Sequence, residues 1–327
     1  MWRSSTVLTT ILLGFCSQAG AQKVVGTIPV GRLPVYVALN TKTNRIYVTN
    51  TSDDSVSVID GKTNRVLTTI PLTTGFCDQV VVNPTTNRIY VATPGTTSST
   101  VTVIDGATNQ ILTEVVVGSE PARLDVNPKT NRIYVGNFAD NTVSVIDGAS
   151  NTVMTTIANV PGPSSLTVNV NTDLVYVTEN PNLTFAGNVA VIDGASNAVV
   201  NTFSLAGYTS KVPSLVNVAV DRTHNHLYFL DDADLVLFVV DGASNKVLRV
   251  VSGFKMPTFV AAYPNSQIAV VADENGGNVV AVDTSLGQIA FQVHVGDDPS
   301  GLAINARTHQ IYVANFLSNT VSVVARR

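Results

Sequence analysis

Cysteine is nearly missing from this chain: there are two among 327 residues, Cys16 and Cys77, and the first lies in an N-terminal stretch that reads as a leader. Once that stretch is removed Cys77 is alone, so no disulfide can form within the chain and stability must come from strand pairing and packing. Charge is also sparse, at 13% of residues. Loss of Arg3 with the leader leaves 18 basic against 23 acidic residues, and the longest basic run is Arg326-Arg327. The electrostatic footprint of a nucleic-acid binder is therefore absent, and nucleic acid is not the expected partner. Past residue 21 no apolar run is long enough to cross a membrane, and no segment shows helical periodicity. There is no Cys-x-x-Cys-His for covalent haem, no Gly-x-Ser-x-Gly elbow and no phosphate-cradling glycine loop.

What the chain does have is a repeat of roughly forty-three residues, recurring seven times. Its copies align on Tyr47, Tyr90, Tyr134, Tyr176, Tyr228, a degenerate copy with Ala269 in that slot, and Tyr312. Each copy alternates apolar and polar residues with period two and is rich in β-branched side chains, as in Arg45-Ile46-Tyr47-Val48-Thr49, which predicts strands. Four strands are expected per copy, separated by turns carrying Asn-x-x-Thr-Asn or Asn-Pro-x-Thr-Asn and by Asp-Gly pairs. Asp60, Asp105, Asp147, Asp193 and Asp241 are expected to cap those turns. Gly61, Gly106, Gly148, Gly194 and Gly242 follow them, and the expected reason is that glycine accepts positive φ.

Seven four-stranded units predict an all-β fold: a seven-bladed β-propeller of four-stranded antiparallel blades. The last copy stops at residue 327 after its third strand, while Lys23 to Val30 matches the fourth strand of the first copy, Arg65 to Leu72, almost position for position. The N-terminal strand is therefore expected to complete the last blade and remove the open sheet edge. Residues 22–327 form one domain on this reading.

The motif Tyr47-Val48-Thr49-Asn50, with Tyr134-Val135-Gly136-Asn137 and Tyr312-Val313-Ala314-Asn315 as near copies, resembles the signature of the YVTN-repeat (YncE-like) β-propeller family. The likeness covers essentially all of residues 22–327 and implies an extracytoplasmic propeller; it implies no particular activity. Trp2 is the one tryptophan, so the mature chain lacks the tryptophan-bearing repeats of WD40, sialidase-like and quinone-dependent dehydrogenase propellers. Residues 1–21 read as a cleaved secretory signal peptide: Arg3, an apolar stretch from Val7 to Phe15, and Ala19-Gly20-Ala21 before the cut. Bulky Phe15 before Cys16 argues against lipoprotein processing. The expected location is periplasmic or secreted.

In a propeller, the connections between strands two and three share one face with those leading from strand four to the next strand one. Three lengthened segments fall on that face: Thr93 to Thr100, Glu179 to Asn188 and Ser204 to Pro213. The same face gathers Arg32, Asp78, Glu120, Arg123, Lys211, Lys255, Asp297 and Asp298 in its four-to-one loops, and these are the candidate ligand-binding residues, with Arg123 and Lys211 as anion contacts and Asp78 and Asp298 as orienting acceptors. Asp231, Asp232, Asp234, Asp273, Glu274 and Asn275 lie between strands two and three, and the carboxylates of the first five are candidates for a divalent cation such as calcium; no other cofactor is expected. His224, His226, His294 and His309 are not expected to converge on a metal or a triad. Cys77 fills the slot of Pro34, Pro121, Pro163 and Pro299, thirteen residues before the tyrosine, and is expected to be a buried or loop-packed thiol.

Two functional readings follow. One is a non-catalytic binding scaffold, a monomer that engages a protein, glycan or envelope ligand through the longer-looped face. The other is a lactonase- or lyase-like enzyme using carboxylates at the channel mouth, with Asp125, an acidic residue on an inner strand, as its catalytic candidate.

Overall fold

A computed structural model describes residues 22–73, 76–95, 99–180 and 187–326. The expected leader, residues 1–21, lies outside them, as do 96–98 of the first lengthened segment and 181–186 of the second. Among the described residues there are 28 strands in seven four-stranded antiparallel sheets, and no helix is long and apolar enough to cross a membrane. Blades one to six take four consecutive strands each, beginning at β2 (Pro34–Asn40), β6 (Val80–Asn83), β10 (Pro121–Asn127), β14 (Pro163–Asn169), β18 (Leu215–Asp221) and β22 (Pro257–Ala262). Blade seven consists of β26 (Pro299–Asn305), β27 (Gln310–Asn315), β28 (Thr320–Arg326) and, from the other end of the chain, β1 (Gln22–Pro29). β1 pairs with β28 from Gln22↔Arg326 to Pro29↔Thr320, so the N-terminal strand does close the ring.

The core lies between blades. Tyr47, Tyr90, Tyr134, Tyr176, Tyr228 and Tyr312 are fully buried, and each packs with apolar residues of the following blade. The degenerate copy needs a correction of one residue. Ile268 pairs with Asp283 as Arg45 pairs with Asp60, and Ala261 pairs with Val270 as Ala38 pairs with Tyr47, so Val270 rather than Ala269 holds the tyrosine slot. A one-residue shift would send every side chain to the opposite sheet face, and Val270 accordingly packs toward blade seven.

The Asp-Gly turns need a correction of cause. Gly61, Gly106, Gly148, Gly194 and Gly242 are not among the positive-φ residues; left-handed backbone falls on Asn64, Asn109, Asn151, Asn197 and Asn245, three positions on. Asparagine tolerates that region because its short amide bonds locally. Glycine is required instead by a close approach. A Cβ at Gly61 would meet the Asn44 side chain at 2.7 Å, and one at Gly106 would meet Asn87 Oδ1 at 2.5 Å. Asn44 and Asn87 are themselves left-handed, in the turn between strands one and two. The aspartates do cap: Asp60 Oδ1 accepts from the Lys62 N–H at 2.9 Å and Asp105 Oδ1 from the Ala107 N–H at 2.7 Å, and these bonds hold both carboxyls below the ordinary range.

Those left-handed asparagines also lock neighbouring blades together. Asn305 Nδ2 donates to Asn44 Oδ1, Asn40 to Asn87, Asn83 to Asn131 and Asn169 to Asn225, each at 2.7 Å, and Asn127 donates to Asp173 at 2.6 Å. From blade six to seven the same step is made by Tyr263 and His309 at 2.8 Å. From blade five to six it is replaced: Asp221 turns to His224 Nδ1, 2.7 Å away. The motif asparagines have a separate task within their own blades. Asn50 Nδ2 donates to Ser55 and Ser57, and Asn137 and Asn315 repeat the pattern.

Candidate functional site at the channel mouth

The first strand of each blade lines a central channel, and a bulge near its start turns one side chain inward. The register shifts lie between Pro34/Val37, Pro121/Arg123, Pro163/Ser165, Leu215/Asn217, Pro257/Phe259 and Pro299/Leu302. The resulting tier comprises Tyr36, Gln79, Arg123, Ser165, Asn217, Phe259 and Gly301. Three of its members bond to the next blade: Gln79 Oε1 accepts from the Leu124 N–H at 2.9 Å, Ser165 Oγ from Val218 at 3.3 Å and Asn217 Oδ1 from Val260 at 3.0 Å. At Gly301 a Cβ would meet Val35 O at 2.4 Å, so blade seven can approach blade one only with glycine there. The missing side chain lets Tyr36 and Phe259, from the blades on either side, meet edge to face at 5.8 Å.

Arg123 completes this waist. It sits within β10, not in the loop before it as expected, and its Nη1 reaches Asp78 of blade two at 3.3 and 3.2 Å from the two carboxylate oxygens. Its Cζ lies 5.1 Å from the centre of the Tyr36 ring, a cation–π contact. Burial pushes the Asp78 carboxyl up while the guanidinium opposes it; with both oxygens on Nη1, the ionised pair is the state this geometry holds. Above the waist is a cavity of about 250 Å³ lined by Tyr36, Arg123, Phe259, Met256, Asp232 and Ser300 among others.

The remaining sequence candidates do not join this cluster. Arg32 forms an exposed ion pair with Asp53 at 2.5 Å. Glu120 and Asp298 adopt left-handed backbone and accept through their carbonyls from Phe138 and Phe316. Lys211 is tied to blade five's own connection, its N–H to Asp234 Oδ2 at 2.8 Å and its Nζ to Ala233 O. Lys255 is exposed and gives its N–H to Asp273 Oδ1 at 2.9 Å. Asp297 donates its backbone N–H to Ser318 Oγ at 2.9 Å. Asn275 contacts the Met256 sulfur at 3.2 Å.

The carboxylates weighed for calcium are spread over different tasks. Asp231 and Asp273 occupy the slot of the motif asparagine, and each Oδ1 accepts N–H groups of the preceding loop, Ser214 at 2.8 Å and Met256 at 2.7 Å. Burial pushes Asp231 up, and its Oδ2 has no partner among the described residues. Asp234 is taken by Ser210 and Lys211, and Asp232 lines the cavity. Glu274 lies against Asp298; burial and that neighbour raise its carboxyl to about 7. No group of three or more metal-ligating side chains is present among the described residues.

Asp125 faces the channel below the waist. Its Oδ1 accepts from the Val126 N–H at 2.8 Å, and its Oδ2 accepts from Val168 at 2.8 Å and from Thr167 Oγ1 at 3.4 Å, which ties blade three to blade four. His224 and His226 do lie ring to ring, 6.0 Å apart, but His309 is bonded to Tyr263 between blades six and seven. Cys77 is buried with its thiol on Ser55 O at 3.7 Å, and burial pushes it up to about 12. It is therefore a packing residue. Tyr36, Phe259 and Arg222 were not anticipated. Arg222 directly follows β18, and its one sequence signal is departure from the residues that follow the inner strand in the other copies.

The chain resembles a solved β-propeller, hydrazine synthase of Kuenenia stuttgartiensis, with a TM-score of 0.79 at 18% identity over 90% of this chain and 95% of that one. Identity at that level shows the fold alone. No family model matches the chain, and no curated protein does.

Proposed function

We propose that the protein is a non-catalytic, extracytoplasmic binding propeller that engages a protein, glycan or envelope ligand over the channel mouth on the face of its longer connections. One observation carries this: Arg123, from an inner strand, is held by Asp78 and the Tyr36 ring at the floor of an open cavity. A guanidinium fixed in this way gives up little side-chain freedom when an acidic or hydroxyl-bearing group arrives. The aromatic pair beneath it supplies apolar contact area. The YVTN-like motifs and the leader-like start support the extracytoplasmic setting. Asp125 suits the enzyme reading less well, since both of its carboxylate oxygens are occupied by neighbouring donors.

The test is capture from an envelope extract with wild type and with the double variant Arg123→Gln/Asp78→Asn, which removes both charges and so leaves neither buried alone. Capture of the principal partner is expected to fall about tenfold or more, as loss of a charged hydrogen bond implies. An unchanged partner set with a folded variant would remove the mouth from consideration.

A further inference from the structure

Below the waist the channel widens, because the next inward tier is mostly small. Ala38, Val81, Thr167, Ala219, Ala261 and Ala303 pair with the tyrosine slot in six blades, while blade three places Asp125 there. The first residue after the inner strand's polar position shows a second departure. It is Thr41, Pro84, Pro128, Val170, Pro264 or Ala306 in six blades and Arg222 in blade five. A repeat explains what its copies share. It does not explain two opposite charges, each confined to one copy, that come together in one chamber.

The chamber has two lobes, of about 380 and 350 Å³, and both are walled by Asp125, Arg222, Gln79 and Phe259. It opens among the turns at Pro84, Pro128 and Asn265, on the face opposite the mouth. Arg222 is close enough to act on the Asp125 carboxyl electrostatically. The two are nevertheless not in contact: no ion pair within 4.0 Å joins them, and Arg222 Nη2 reaches only Val168 O, at 3.4 Å. The Val168 N–H in turn donates to Asp125, which fixes the carboxylate in its place. The result is a cation and a fixed carboxylate that share both lobes, with alanine walls between them. Concave sites of this volume that combine apolar walls with a few aimed polar groups are suited to small molecules.

We propose that this chamber is a second site, independent of the mouth, for a small carboxylate of hydroxy-acid or amino-acid size. The ligand's carboxylate lies on the Arg222 guanidinium, and its hydroxyl or amino group donates to the second lone pair of Asp125 Oδ1, the oxygen that carries one N–H bond where Oδ2 carries two. Thr223, exposed at the entrance, offers a further hydroxyl.

Titration calorimetry on the mature chain with L-lactate, L-malate, L-serine and L-glutamate, and with lactamide as the uncharged control, tests this. At least one carboxylate is expected to bind saturably while lactamide does not. Arg222→Thr, which installs the residue blade one already carries, is expected to weaken that binding about tenfold or more, with the unfolding midpoint unchanged. Should that variant fail to fold, Arg222→Lys serves instead: it keeps the charge but not the fork, and a severalfold loss is expected. Arg123→Gln/Asp78→Asn is expected to leave the binding intact, which separates the two faces. The proposal is overturned if none of the four carboxylates binds, if the Arg222 variants bind as wild type does, or if the mouth double variant abolishes binding.

Discussion

Tyr47 and Tyr90 bury hydroxyls that reach no partner among the described residues, whereas the Tyr312 hydroxyl meets Asn64 Oδ1 and Gln310 Oε1, each at 3.1 Å. The ring is what the repeat needs; the hydroxyl matters only where something accepts it. Tyr47→Phe is therefore expected to leave the urea midpoint unchanged or higher, and Tyr312→Phe to cost about 1 kcal/mol. Glu274 sets a pH dependence. Its folded value, about 7, lies above the unfolded one of 4.5, so its contribution is fully present below pH 4.5 and is lost as pH rises toward 7. Glu274→Gln should consequently raise stability relative to wild type at pH 8 and leave it unaltered at pH 4.5, as read from paired urea melts. At this scale the sequence was only partly informative. Arg123 and Asp78 stand out as charges in a chain with few, but which inner-strand residue faces the axis depends on the bulge after each proline, and no local pattern marks it. Tyr36 and Phe259 stayed hidden for that reason, and Arg222 because it lies in the turn after its strand, where a single charge reads as solvated.

Between elements, the turn asparagines do more than shape turns. Asn83 Oδ1 accepts from the Thr85 N–H at 2.9 Å within its own turn while its Nδ2 donates to Asn131 in the next blade. Asn83→Ala removes both bonds from a buried position and is expected to cost about 2 kcal/mol by chemical denaturation. Asn83→Asp keeps the acceptor for the turn but sets a carboxylate oxygen against Asn131 Oδ1, and is expected to be at least as damaging. The strands themselves were legible because alternation and β-branching dictate them, and the Asp-Gly turns because aspartate caps. The reason for the glycines was not legible, since the crowding comes from a turn about seventeen residues earlier in the same blade. Blade six lost its register for a plain reason: Ile268-Ala269-Val270-Val271-Ala272 is uniformly apolar, and only the pairing of Ile268 with Asp283 fixes it.

For the whole molecule, closure rests on β1. Without residues 22–29, β28 would present Val321, Val323 and Val324, all fully buried in the intact ring, beside an unpaired edge. A chain beginning at Gly31 is expected to self-associate, as seen by light scattering after size exclusion, and a peptide of residues 22–30 added in trans is expected to restore the mass and elution of the intact chain. The ring was readable from the missing last strand and its match at the other terminus; the chamber below the waist was not, because it arises where seven separate strands converge.

The β1–β28 seam has a mechanical side. Gln22 faces Arg326, so both ends of the strand pair leave the sheet at the same edge. Tension applied between the termini would load these hydrogen bonds one after another, as in peeling, instead of all together in shear, and the ring would give way at this seam under low force while the six covalently continuous blades stayed folded.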